Sequence, residues 1–380
     1  MKQRFASALA VVVVCAASQI SFAQKAAPAA PPKKNPYVKL SEPWPEPDVL
    51  LARRTEAEKR PLFEKTDPLA FTLTADFKTI NKDRRPESTA RYPGIISVTD
   101  ERGREQTIKV KLSPRGHFRR MARNCSFVPL RVELSEAEVA GTVFAGQTTL
   151  KLGTHCQDDK AYEQYTLREY LTYPLFNLVT PRSFRARLAR GTYVDEKSQK
   201  PMTTRYAIFI EHENDVARRM GGRVVELPRT EFKDFHAETL NTMMLFEYMI
   251  GNTDFSLYAN HNVRFVQEPS RTLFPVPYDF DLSGLVHAPY AIPDRRFGIR
   301  SVLDRLYRGP CRTVDQVEAA ATMFRSKKDD MITLVEAINE VDSSSRSEMK
   351  SYLEEFFRVI DKPSSIKSRL VDSCKATPTM

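Results

Sequence analysis

Along the first half of the chain, hydrophobic and polar residues alternate with a period of two. Ala70 to Ala75 does so, and Gly94 to Val98, Gln106 to Leu112 and Phe127 to Leu134 repeat the pattern. That period marks strands with one buried face, so the region to about Leu152 is expected to be an antiparallel β unit. From Tyr162 to Val179 the period becomes helical. Leu167, Tyr170, Leu171 and Leu175 share one face with Arg168 and Glu169 beside it, and Pro174 is expected to bend or restart the helix. Two more strands, Phe184 to Leu188 and Tyr206 to Glu211, flank a polar loop at Asp195 to Pro201. Glu211 to Met220 begins a turn or helix that Gly221-Gly222 ends.

The second half is mainly helical. Thr239 to Ile250 is an apolar, buried helix that stops at Gly251. The series Val314, Val317, Ala321, Phe324, then Met331, Leu334, Val335, Ile338, Val341, then Met349, Leu353, Phe356, Ile360 keeps helical spacing. Such stripes are core faces, not a cofactor box. Between them lie two short strands, Val263 to Val266 and Leu273 to Val276, with a turn at Glu268 to Ser270. An irregular stretch then runs from Gly284 to about Arg296; long aperiodic loops in compact domains are often functional. The fold class expected is α+β, β-rich first and helical afterwards.

Composition narrows the setting. With 380 residues, 41% hydrophobic and 28% charged, the chain is globular and long enough for two lobes. Residues 1–23 read as a secretory signal: Lys2 and Arg4, then the apolar Ala8 to Ala17, then Ser21-Phe22-Ala23 as a small-x-small cleavage site. The apolar run is short for a membrane span, so an exported protein without a stable span is expected, periplasmic, extracellular or at the cell surface. Residues 24–48 form an Ala/Pro-rich linker around Trp44. Cleavage removes two cations, Lys2 and Arg4, and no acids, taking the net charge from +10 to +8. A basic chain suits an acidic or phosphate-bearing partner, and no nucleic-acid motif accompanies the charge. Four cysteines remain. In an exported protein an even count implies two disulfides; of three pairings, Cys125–Cys156 in the first half and Cys311–Cys374 in the last are expected. Zinc is not, since CxxC is absent and the six histidines are scattered.

The chemistry concentrates between Met243 and Gly284. Asp254 follows the Gly251 helix stop, Asn262 opens a strand, and Asp279 and Asp281 follow the second strand. Singly, each fits a helix stop, a cap or an Asx turn. Together, two strands bring both polar clusters to one edge, and carboxylates converging without basic neighbours in sequence imply a cation. In that reading Asp254 orients or deprotonates an attacking hydroxyl, while Asn262 and Asp279 hold Mg²⁺ or Mn²⁺ on nucleotide phosphates. Asp281 is a second ligand or supports one. The Ser113 to Arg120 segment, a Gly turn with three arginines including Arg115, is either a phosphate cover or an ordinary solvated hairpin.

These residues in this order resemble a family. Gly-Asn-x-Asp, then His-Asn, a strand, and Pro-x-Asp-x-Asp is similar to the atypical secretory kinases of the CotH (spore-coat) type; the GNxD…N…PYD segment is also similar to HipA-like kinases. Arg115-Gly116, Leu150-Lys151-Leu152, Leu167 to Leu171 and the strand Ala207 to Glu211 resemble further family segments. The resemblance implies a bilobed, atypical protein-kinase-like fold with a β-rich N-lobe (49–211), a mainly helical C-lobe (212–380) and ATP between them. It implies Asp254 as the catalytic residue, Asn262, Asp279 and Asp281 on the metal, and Glu169 as the helix Glu, with Arg115 and Glu211 at the nucleotide. The strand cation is open: Lys151, eighteen residues before Glu169 and suitably spaced to pair with it, or Arg131, which is not equivalent to Lys. The turn departs from the family by continuing His117-Phe118-Arg119. The function expected is phosphoryl or nucleotidyl transfer to a protein or cell-envelope acceptor. The alternatives are a degenerate kinase fold used for binding and surface assembly, and a metal-dependent phosphoesterase.

Overall fold

The computed structural model describes residues 37–378. The expected signal segment and the linker as far as residue 36 lie outside the described residues. The architecture is α+β. Seven strands close into a barrel: β1 (Leu69–Ala75), β2 (Tyr92–Thr99), β3 (Glu105–Pro114), β4 (Leu130–Glu133), β5 (Thr149–Gly153), β6 (Ala186–Asp195) and β7 (Pro201–Ile210), in the order β1-β2-β3-β4-β5-β7-β6. Every neighbouring pair is antiparallel except β1 and β6, whose parallel pairing, Leu69 opposite Ala189, completes the ring. The alternation seen in sequence is the barrel wall. Leu73, Ile96, Ile108, Leu112, Leu130, Val132, Leu150 and Leu152 are fully buried and belong to one core cluster.

Some elements differ from the sequence expectation. The strand expected from Phe184 begins at Ala186 and runs on to Asp195, and the one expected from Tyr206 begins already at Pro201, because β6 and β7 pair along most of their length as one hairpin. The strand expected from Phe127 is confined to Leu130–Glu133. Upstream, Ser126 and Phe127 give their N–H groups to the Cys156 carbonyl instead. The Lys160–Asn177 helix runs through Pro174 without ending. Pro174 forfeits one backbone hydrogen bond, but eleven of the helix's residues are buried, so tertiary packing holds it. A helix at Pro47–Glu58 follows the linker, and Arg223 lies 4.1 Å over the Trp44 ring, docking the linker's end on the domain.

A second core contains the Lys160–Asn177, Ala237–Ile250, Val314–Ser326, Lys328–Ala337 and Ser343–Ile360 helices. Against it lies a small antiparallel sheet of β8 (Arg223–Val225), β9 (Val263–Gln267) and β10 (Leu273–Pro277), ordered β10-β9-β8. The pairings Cys125–Cys156 and Cys311–Cys374 are both present as expected, which suits an oxidising compartment. Among the described residues, no helix is long and apolar enough to cross a membrane.

Candidate active site

The Ala237–Ile250 helix is buried on most faces and ends abruptly. Gly251 takes a left-handed conformation, φ +66°, and a Cβ there would collide with the Tyr352 hydroxyl; only glycine serves both demands. The chain then turns through Asn252. Its backbone N–H bonds the Glu247 carbonyl at 2.8 Å, and its side-chain amide donates to the Glu247 carboxyl at 2.9 Å. The Asn252 side-chain oxygen accepts from the Asp254 N–H at 3.0 Å. Glu247 is 1% exposed, and burial pushes its pKa up to about 8.

Asp254 is thereby held at the loop's outer side, its side chain 37% exposed. The Asn262 side-chain amide donates to its carbonyl at 2.7 Å and to its carboxylate at 2.9 Å. His261 Nε2 lies 3.2 Å from the other carboxylate oxygen, and that hydrogen bond raises the His261 pKa. The eight-residue spacing of Asp254 and Asn262 has a local cause. Ser256 and His261 exchange two backbone hydrogen bonds of 2.9 Å, folding the intervening residues outward. Asn260 and Asn262 both sit at φ +52°, which asparagine tolerates better than most residues.

The acidic turn is stitched to this loop. Tyr278 N–H bonds the Asn262 carbonyl at 3.0 Å, and Gly284 and Leu285 bond the Gly251 and Ile250 carbonyls at 3.2 and 2.9 Å. Asp279 has φ +67°, and its N–H meets the Tyr173 hydroxyl at 3.3 Å. Asp281 is buried and accepts a hydrogen bond from Tyr290, a residue of the irregular stretch. Burial, and then the charge of Asp279, push the Asp281 pKa up; burial and then Asp281 do the same to Glu169.

Arg115, Arg131, Lys151, Glu169, Asp254, Asn262, Asp279 and Asp281 all line one cleft of about 470 Å³, together with Arg119, Glu213, His261, Arg264 and Tyr278. Its size is ordinary for a small-molecule site. Arg131 and Lys151 are direct cross-strand partners on β4 and β5, so the two candidates for the strand cation stand side by side in its wall. A larger hollow of 970 Å³ lies on the barrel's outer face beside Lys109, Lys111 and Glu133, but none of the expected site residues reaches it.

Two placements differ from the sequence expectation. Lys151 does not pair with Glu169: its Nζ is 2.8 Å from Glu213 and lies over the rings of Phe184 and Tyr278 at 4.7 and 4.4 Å. Burial lowers its pKa to about 8 against the opposing pull of Glu213. Glu169 instead faces Arg119 at 3.4 Å. Glu211 does not line the cleft. Its carboxylate is consumed by Arg219, at 2.7 and 2.8 Å, and by the Arg185 N–H at 3.0 Å, so it fastens β7 to the following helix (Glu213–Arg219). The reason is common to both: spacing brings Glu169 and Glu211 near the cleft, but the nearest guanidinium takes each carboxylate. Arg119, Glu213 and Arg264 were not singled out by sequence. Arg119 was legible only as part of the basic turn, and Arg264 only as a cation two residues beyond Asn262.

The donor set can be tested for a divalent cation. Among the described residues, no three His, Cys, Asp or Glu side chains are grouped so as to hold a metal unaided. Mg²⁺ commonly takes one or two carboxylates and completes its shell with phosphate oxygens and water, and Asp279 and Asp281 answer that need. Asn262 spends its amide nitrogen on Asp254, leaving its side-chain oxygen for a cation. The donor chemistry therefore fits a metal bound jointly with a phosphate ligand.

Comparison with protein-family models and with curated protein sequences finds no match.

Proposed function

We propose that the chain is an exported kinase of CotH-like type, with a bilobed kinase-like arrangement in which the barrel and the helical half enclose a nucleotide. The observation that carries this reading is one cleft that gathers both kinds of charge: Arg115, Arg131 and Lys151 from the barrel, and Asp254, Asn262, Asp279 and Asp281, with Arg264 among them, from the helical half. Phosphoryl transfer needs chiefly positioning and charge neutralisation, and such walls supply both.

In this mechanism the acceptor hydroxyl approaches Asp254, whose exposed carboxylate receives its proton. The acceptor oxygen bonds to the γ-phosphorus as the bond from that phosphorus to the bridging oxygen breaks, and the nucleoside diphosphate leaves with the electron pair. Asn262 and His261 each hold one oxygen of the Asp254 carboxylate and so fix its rotamer. Asp279, Asp281 and the Asn262 side-chain oxygen would hold Mg²⁺ or Mn²⁺, which supplies neutralisation of phosphate charge. The acceptor class is a protein or cell-envelope hydroxyl.

One observation favours a second reading, a binding module of kinase build. The pairing of strand Lys with helix Glu that marks active protein kinases is here replaced by Lys151–Glu213 and Arg119–Glu169. Calorimetric titration with Mg-ATP, together with transfer assays on Asp254→Ala and Asp279→Ala, separates the two. The kinase reading expects Mg-dependent binding weakened in Asp279→Ala, and turnover lost in a folded Asp254→Ala. A folded Asp254→Ala enzyme with full turnover would overturn Asp254 as the catalytic residue, and Mg-ATP affinity unchanged by Asp279→Ala would overturn Asp279 as a metal ligand. No transfer to any acceptor, with Mg-ATP still bound, would favour the module.

A further inference from the structure

The irregular stretch after Gly284 plays no part in the chemistry above, yet one of its side chains touches both walls of the cleft. Tyr290 donates a hydrogen bond to the buried Asp281 carboxylate. Its ring packs on Phe118 of the barrel's basic turn, with centroids 6.0 Å apart. Its hydroxyl also lies close enough to Arg119 and Glu169, the ion pair on the barrel side, for their charges to act on it. Pro289 and Ile292 on either side are exposed, Ile292 by 76%, and Tyr290 dips inward between them. Burial, and then the charge of Asp281, hold the Tyr290 pKa well above its ordinary value, so the phenol stays a donor at neutral pH.

The backbone around it is lightly held. Among the described residues, its hydrogen bonds over 288–298 close only local turns: the Ala291 N–H to Ala288, Phe297 to Asp294, and Gly298 to Arg295. Side chains fasten the stretch instead. Tyr290 does so at one end, and at the other the Phe297 ring lies 4.3 Å from the Arg308 guanidinium. A segment with local backbone bonds and exposed flanks opens at low cost in free energy. A phenol that donates to Asp281 also competes for the carboxylate oxygens a hard cation takes.

We propose that Tyr290 is a bolt: it shuts the acidic end of the cleft by occupying Asp281 from a strap, residues 287–298, and a divalent cation reaches Asp281 as Tyr290 withdraws and the strap lifts. This concerns the regulation of the site described above and rests on reading Asp279 and Asp281 as cation ligands.

The test is calorimetric titration of the oxidised protein with Mn²⁺, in wild type, Tyr290→Phe and Asp279→Ala. Tyr290→Phe keeps the ring against Phe118 and removes only the hydroxyl. It is expected to bind Mn²⁺ roughly 10- to 100-fold more tightly than wild type, the range set by one hydrogen bond to a charged group. Limited tryptic digestion supplies a second readout, because Arg295 and Arg296 are exposed on the strap. Saturating Mn²⁺ should speed cleavage there in wild type, relative to the exposed Lys197 in the β6–β7 hairpin. Tyr290→Ala should be cut at the fast rate without Mn²⁺. Thermal melts verify that each variant is folded. Equal Mn²⁺ affinity in Tyr290→Phe overturns the bolt, and weaker affinity would make Tyr290 a support for Asp281 instead. Strap cleavage that ignores both Mn²⁺ and Tyr290→Ala overturns it as well. Mn²⁺ binding lost in Asp279→Ala but unchanged in Tyr290→Phe sinks the bolt and leaves the metal site standing; Mn²⁺ binding by neither wild type nor Tyr290→Phe sinks both. Tighter binding in Tyr290→Phe by a protein that transfers no phosphoryl group upholds the bolt and sinks the kinase reading.

Discussion

Glu247 offers a measurement of how the Asp254 loop is supported. It is buried beneath Asn252, and its folded-state pKa of about 8 stands above the ordinary 4.5, chiefly through burial. Its Oε2 accepts from Asn252, while Oε1 lacks a hydrogen-bond partner. A raised acid favours the folded state fully below its ordinary value, and that contribution is lost as pH rises through the folded value. Between about pH 5 and 7 the folded protein keeps a proton that the unfolded chain has released, so stability falls by about 1.4 kcal/mol per unit from this group alone. Over two units the loss is about 3 kcal/mol. Glu247→Gln copies the protonated acid in shape and still accepts from Asn252, but cannot ionise. Denaturant titrations at pH 5 and pH 7 should show the variant losing about 3 kcal/mol less than wild type over that interval. Comparing the two proteins cancels the contributions of Asp281 and Glu169, which are raised in the same direction. If the two stability curves ran parallel, Glu247 would be ionised in the folded protein, and a neutral, buried support for Asn252 would be the wrong picture.

Two further outcomes are expected. Gly251→Ala must strain a left-handed residue and displace the Tyr352 hydroxyl, which bonds the Leu303 carbonyl at 3.1 Å; a loss of roughly 2 kcal/mol or more is expected by denaturant titration, with Mg-ATP binding weakened as the Asp254 loop shifts. A variant as stable as wild type would count against a helix stop that only glycine can make. Replacing Cys125 and Cys156 by serine opens a loop with a sequence separation of 31, and roughly 3 to 4 kcal/mol should be lost on chain-entropy grounds; an unchanged midpoint would mean the basic turn is held without the bridge.

The parts of this site legible in sequence are those whose position follows from local rules. The Gly251 stop, the two short strands and the polar residues at their edge fix where Asp254, Asn262 and Asp279 can go. Alternation gave the barrel's strands, with Leu150 and Leu152 turned inward and Lys151 between them turned to the cleft. Pairing between distant segments was not legible. Spacing alone suggests Lys151 with Glu169, but Arg119 folds back from the β3–β4 connection and takes that carboxylate, and Lys151 turns to Glu213. Barrel closure was hidden for the same reason. Nothing local in Leu69–Ala75 announces a parallel partner more than a hundred residues later, because that register is chosen by the shared core and not by either strand.

The two disulfides stand behind opposite walls of the cleft. Cys125–Cys156 ties down the turn carrying Arg115 and Arg119. Cys311–Cys374 anchors the segment beginning at Arg308, whose guanidinium grips the Thr253 and Phe255 carbonyls at 2.6 and 2.5 Å, on either side of Asp254. Each bridge thus fastens a segment that carries or braces residues of the cleft, so reduction is expected to loosen both at once. The cleft's shape is in this sense tied to the redox state of its surroundings, although neither cystine lines it.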